Sequence, residues 1–275
     1  MILAVIAGRR RPSLGIFFVL VYALTWTLFI TVATNVPART PLGYVLILAG
    51  AYAPAFVALA LTGWTDGAAG VRKLLRRLSI VDVPARYYLF AIFYMVAVKL
   101  VAASLHRGVI GAWPRFEAGS LAIIPLAIAF STPFQAGEEI GWRGYALPRL
   151  AARFGLGRAS LLLGAIWAVW HLPQFYIADS DTYHQSFLVW APQVVAMSVA
   201  FAWLYARTGC SLVLVMLLHS AINNSKDIVT SAAAVPPGVF SLHASAMSWI
   251  GLGVLWLCAV FLLRNFRTRP ISLET

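Results

Sequence analysis

The 275 residues are 61% hydrophobic and only 11% charged, with a mean hydropathy of +0.83, which excludes an ordinary soluble domain and selects a chain built for lipid. The formal net charge of +12 does not signal nucleic-acid binding, because the basic residues fall in the short segments between apolar runs, where they encode membrane topology. Cys210 and Cys258 lie in or beside helices with no CxxC spacing, so they read as packing residues rather than a disulfide framework or a thiolate metal site.

Apolar runs of spanning length predict an all-α polytopic protein of about eight transmembrane helices, near 14–34, 42–62, 87–106, 120–147, 159–176, 186–206, 211–226 and 244–264. They form a single integral membrane domain over residues 1–275, with a motif-bearing core near 120–225. The first run follows Arg9, Arg10 and Arg11 and precedes Val36-Pro37-Ala38, as a cleaved signal would. Its roughly 20 apolar residues exceed the 7–15 of a signal h-region, so it reads as a helix that stays. After the second run, GVRKLLRRL sets Val71, Leu74, Leu75 and Leu78 on one face and Arg72, Lys73, Arg76 and Arg77 on the other. It is either a short interfacial helix at an anionic leaflet or a solvated connector. Lys99, nearer the far end of the third run, is expected to snorkel to the interface.

The fourth run carries GEEIGWRGYALPRL, with Glu138, Glu139 and Arg143 inside an apolar segment. A carboxylate near the bilayer centre costs about 2.5–3.5 kcal/mol even on lenient scales, so two adjacent ones demand compensation or use. On a helix Glu139 and Arg143 lie about 40° apart and can pair, while Glu138 points roughly 140° away and is left for another task. The fifth run ends in WAVWHLP, with His171, and the seventh contains LLHSAINN, with His219 and Asn223. Asp179, Asp181 and His184 in the loop between the fifth and sixth runs lack metal-ligand spacing. Trp142, Trp167 and Trp170 are candidate cavity walls.

With the N-terminus cytoplasmic, eight crossings place sixteen of the 21 Lys and Arg on or near that side, from Arg9 through Arg72, Arg149 and Arg207 to Arg269. Only Arg39, Arg107, Arg115 and Lys226 fall opposite, and an error of one helix destroys the bias. Both termini are therefore expected in the cytoplasm. Counted from the basic ends, Glu138 stands ten residues before Pro148, His171 ten after Leu161 and His219 seven after Leu212. At 1.5 Å per residue these are about 15, 15 and 10 Å deep, one common level. A lone histidine is commonly a bonded core residue and a Glu–Arg pair a staple. The whole set at one depth instead describes a polar intramembrane cavity.

These motifs resemble those of the CPBP family of intramembrane proteases, which includes the Rce1-type CAAX prenyl endopeptidases and the bacteriocin-processing and immunity (Abi) proteins. EExxxR appears as Glu138-Glu139 to Arg143, aromatic-xxxH as Trp167 to His171, and HxxxN as His219 to Asn223, in order over about 120–225. Many members have Phe where this chain has Trp167, a change of one aromatic wall for another. The resemblance implies an intramembrane endopeptidase in a bacterial or archaeal cell membrane, acting on a membrane-associated peptide or protein reached from the cytoplasm or laterally from lipid. It further implies that Glu138 with His171 activates water, that His219 with Asn223 stabilises the oxyanion, and that Glu139, held by Arg143, fixes the helix presenting Glu138.

No cofactor is expected. There is no HExxH, and the alternative is a zinc ion held by His171, His219 and either Glu138 or Glu139. Two other classes bury similar groups. A proton-coupled transporter usually carries inverted repeats with broken helices in both halves, whereas this polar set is confined to the second half. A non-catalytic immunity or binding protein of the same fold would keep the motifs without turnover.

Overall fold

The computed structural model describes residues 14–116, 122–183, 185–229 and 238–266. Arg9, Arg10, Arg11, His184, Arg267 and Arg269 lie outside them. Ten α-helices are described: α1 (Leu14–Thr34), α2 (Pro41–Leu75), α3 (Ala85–Ile110), α4 (Ile124–Ser131), α5 (Ala136–Glu139), α6 (Leu147–Phe154), α7 (Leu156–Trp170), α8 (Phe187–Arg207), α9 (Leu212–Ser225) and α10 (Ala246–Asn265). α4, α5 and α6 are segments of one interrupted rod, so the eight expected spans correspond to eight helical rods. Among the described helices, α1, α2, α3, α8 and α10 are long and apolar enough to cross a membrane, and α9 is a shorter apolar helix. The protein is an all-α polytopic membrane protein.

The second rod departs from expectation. Thr40 Oγ1 accepts from the Gly43 N–H at 3.1 Å and Pro41 follows at the first helical position, a favourable start for α2. The helix then runs past residue 62 to Leu75, through a break at Gly67 (φ 66°, ψ −166°) that only glycine adopts without strain. The basic stretch is thus the last limb of α2, continued by a 3₁₀ turn over Arg76–Ser79. Leu74 turns inward while Arg72, Lys73 and Arg76 stay exposed, but Leu75 is exposed as well and Arg77 is half-buried, so the amphipathic pattern holds only in part and the element is not separate.

The interrupted rod lies against α2 along a seam of glycines. A Cβ at Gly137 would stand 2.6 Å from the Tyr52 ring, at Gly141 2.4 Å from Pro54 Cβ, and at Gly144 2.9 Å from Leu74 Cδ1. Small residues let backbones approach where lipid supplies no hydrophobic drive between helices. α7 packs on α8 in the same way, since a Cβ at Gly164 would meet Val195 Cα at 2.9 Å.

Polar contacts tie the rods at both ends. At one end Arg77 Nη1 donates to the Gly144 carbonyl and to Tyr205 Oη, each at 2.8 Å. There too Ser211 Oγ donates to Ile80 O at 2.6 Å and Arg207 to Asn265 O at 3.2 Å. At the other end Arg39 pairs with Asp179 at 2.8 Å and Lys226 with Asp181. Cys210, in the turn between α8 and α9, is a buried free thiol whose pKa burial pushes up, in keeping with a packing role.

Candidate active site

The rod that carries the two glutamates is irregular where they sit. α4 gives way to a 3₁₀ turn at Thr132–Gln135, α5 lasts one turn, and Ile140–Ala146 forms a π-helix before α6 resumes. Isolated π turns are uncommon and often accompany functional groups. This one spans Arg143 and begins directly after Glu139.

The pairing expected of Glu139 is present. Arg143 Nη1 donates to Glu139 Oε1 at 2.9 Å, both side chains being essentially fully buried. The guanidinium also lies over two rings, its carbon 4.3 Å from the Trp167 centroid and 4.1 Å from that of Phe201, as suits a weakly hydrated planar cation removed from water. A second partner was not legible in spacing. His219 Nδ1, 80 residues away in sequence, is 2.7 Å from the same Glu139 oxygen. A carboxylate oxygen accepts, so Nδ1 carries the proton and donates. Glu139 therefore joins the fourth rod to α9.

Glu138 is set apart from this network. It is half-buried, and its Oε2 accepts from the Trp167 indole N–H at 2.7 Å. Trp167 is thus more than a wall, since a phenylalanine there has nothing to donate. The same residue positions His171, whose Nδ1 lies 2.7 Å from the Trp167 carbonyl. A carbonyl only accepts, which places the proton on Nδ1 and leaves Nε2 with its lone pair. The His171 ring is held edge-on by Trp170 and Trp190, with centroids at 4.7 and 5.1 Å.

Glu138, Trp167, His171, His219 and Asn223 all line one cavity of about 300 Å³. Glu139 and Arg143 stand behind its wall rather than in it. The depth count started the fifth helix at Leu161, whereas α7 begins at Leu156 and His171 is its C-cap. His171 therefore lies about 7 Å farther along the rod than expected, yet its ring still reaches the common cavity. Trp142 and Trp170 do not line the cavity. They pack edge to face at 5.6 Å behind it.

Lys99 corrects another expectation. It does not snorkel outward but lines this cavity, with Nζ donating to Val229 O at 3.2 Å. Which face of α3 meets α9 decided this, and a single helix sequence does not encode it. Asn224, the neighbour of Asn223, was also missed. Its amide donates at 2.8 Å to both Ser131 Oγ and Ser220 O, tying α9 to α4.

For zinc, the available donors are Nε2 of His171, Nε2 of His219, Glu138 and the second oxygen of Glu139, whose Oε1 already holds Arg143 and His219. Among the described residues no three His, Cys, Asp or Glu side chains are grouped as a metal would need. No step is derived through a metal.

Residues 118–225 match the family of Rce1-like type II CAAX prenyl endopeptidases, the stretch that contains all three motifs. A curated relative, CAAX prenyl protease 2 of Methanococcus maripaludis, is 29% identical over 119 residues. That alignment spans 40% of this chain and 44% of the relative's own length.

Proposed function

We propose that this chain, Rce1-like over residues 118–225, is an intramembrane endopeptidase that cleaves membrane-associated peptides or proteins with a water activated by Glu138 and His171. The observation that carries the reading is the division of labour between adjacent carboxylates. Glu139 is buried and doubly engaged, whereas Glu138 faces the cavity with one oxygen held by Trp167.

Peptide hydrolysis needs a base for water, donors for the tetrahedral oxyanion and a proton for the leaving amine. Glu138, oriented by the indole N–H, takes the water proton, and the His171 Nε2 lone pair accepts a hydrogen bond from the same water. The proton held on Glu138 then passes to the amine nitrogen as the C–N bond breaks. The Asn223 amide and the His219 ring face the same cavity and serve the oxyanion. With Nδ1 committed to Glu139, His219 donates from Nε2 only as an imidazolium. Glu139 stands 2.7 Å away to balance that charge. An oxyanion donor of this kind contributes about 2.7–4 kcal/mol to the barrier.

The test is cleavage of membrane-associated peptides by purified protein in nanodiscs. Glu138→Gln keeps the shape and the Trp167 contact but cannot act as base, so cleavage falls to background while the melting temperature is unchanged. Near wild-type turnover by this variant removes Glu138 as the base. A folded wild-type protein that binds such peptides without cutting them supports the non-catalytic immunity or binding reading instead.

A further inference from the structure

The cavity is directional. Its floor, near mid-bundle, is formed by Phe201, Trp167 and His219, and its mouth by Gln174, Asp181, Gln185 and Lys226. Asp181 marks the outer rim, its side chain 75% exposed. Below the floor the bundle is plugged by fully buried Leu147, Leu163, Leu204 and Leu212. The mouth therefore lies at the end where α7 and α9 finish and α8 and α10 begin. The opposite end holds Arg72, Lys73, Arg76, Arg77, Arg149, Arg153, Arg158, Arg207 and Arg264, at the end of α2, along α6, at the start of α7 and at the ends of α8 and α10. Among the described residues, the mouth end holds only Arg39, Arg107, Arg115 and Lys226, of which Arg39 and Lys226 are each paired with an aspartate.

Lys and Arg in short loops concentrate on the cytoplasmic side. Combining that rule with the direction of the cavity, we propose that the site opens to the extracytoplasmic face and that its substrate is a polypeptide segment already carried across the membrane. This departs from the access expected from sequence, which is from the cytoplasm or laterally from lipid. The lining suits such a segment: the amides of Gln174 and Gln185 at the mouth and of Gln193 on the wall below offer donors and acceptors to an extended backbone. The substrate class rests on the proteolytic reading above, whereas the direction of opening does not.

The experiment therefore uses accessibility rather than activity. In full-length protein lacking Cys210 and Cys258, single cysteines are introduced as Gln185→Cys at the mouth and Lys73→Cys at the basic end. Sealed right-side-out vesicles are treated with a membrane-impermeant maleimide. Gln185→Cys is expected to label at least tenfold faster than Lys73→Cys, and the difference disappears on permeabilisation. Asn223→Cys, deeper in the same cavity, should react with a small impermeant methanethiosulfonate in the sealed vesicles, which gives a second reading if Gln185→Cys folds poorly. Labelling of Lys73→Cys in sealed vesicles, with the cavity cysteines reached only after permeabilisation, overturns the proposal. Absence of proteolysis by the wild-type protein, with the first labelling pattern intact, would refute the enzymatic reading and leave the direction of opening standing.

Discussion

Replacing Arg143 by alanine leaves a buried carboxylate with one partner where it had two. Both side chains of the pair are almost completely inaccessible, 1% for Arg143 and 0% for Glu139, so solvent cannot take over the lost contact. Removing one member of a buried pair costs about 3–5 kcal/mol, chiefly the penalty of the stranded charge. Loss of the contacts over Trp167 and Phe201 adds roughly 0.5–2 kcal/mol. His219 offsets part of this by staying on Glu139, which places the expected loss near 3–5 kcal/mol. At roughly 2–4 °C per kcal/mol, the melting temperature in detergent falls by about 6–20 °C. Activity should fall as well, because the stranded carboxylate pulls His219 away from the oxyanion. The double variant Glu139→Gln with Arg143→Met carries no buried charge at this pair, so it should melt above Arg143→Ala while remaining inactive. A single variant melting within 2 °C of wild type, a window of about one kcal/mol at most by that scale, would refute the reasoning.

Trp167→Phe keeps a ring against Arg143 and removes only the donor to Glu138. A hydrogen bond to a charged group is worth about 1.5–3 kcal/mol, so kcat should drop about ten- to hundredfold with KM within about twofold. Unchanged kcat would show that the indole is merely a wall. Exhaustive chelation followed by elemental analysis should leave activity with well below one equivalent of zinc, and His171→Ala should lose activity without changing metal content. Stoichiometric zinc that tracks activity through removal and re-addition would instead assign the His171, His219 and glutamate set to a metal.

The rods and their order were legible because spanning length and apolar composition are properties of a stretch of chain, independent of its neighbours. The Glu139–Arg143 pair was legible for the same reason, being set by spacing along one rod. What escaped depended on rotation and on partners elsewhere. The Glu139–His219 bond joins two rods whose facing sides no single helix specifies. The direction of the Trp167 N–H is a rotamer, so aromatic-xxxH reads the same whether or not the ring donates. Lys99 followed the usual expectation for a lysine near a helix end until α3 packed against α9. The continuation of α2 past residue 62 was hidden by Gly67, whose φ of 66° reads in sequence as a stop but in the fold is a bend.

The glycine seam between α2 and the interrupted rod acts as a mould. Gly137, Gly141 and Gly144 alternate with the residues that do the work, and each is pressed against α2, at Tyr52, Pro54 and Leu74. A π turn is wider than an α turn, and a wider turn fits among close neighbours only where its contact face is bare of side chains. α2 contributes no residue to the cavity wall, yet its surface is the cast in which the irregular turn is held. A side chain added anywhere along that seam pushes the rod away as a unit, and the paired carboxylates move with it before any residue of the cavity has been touched.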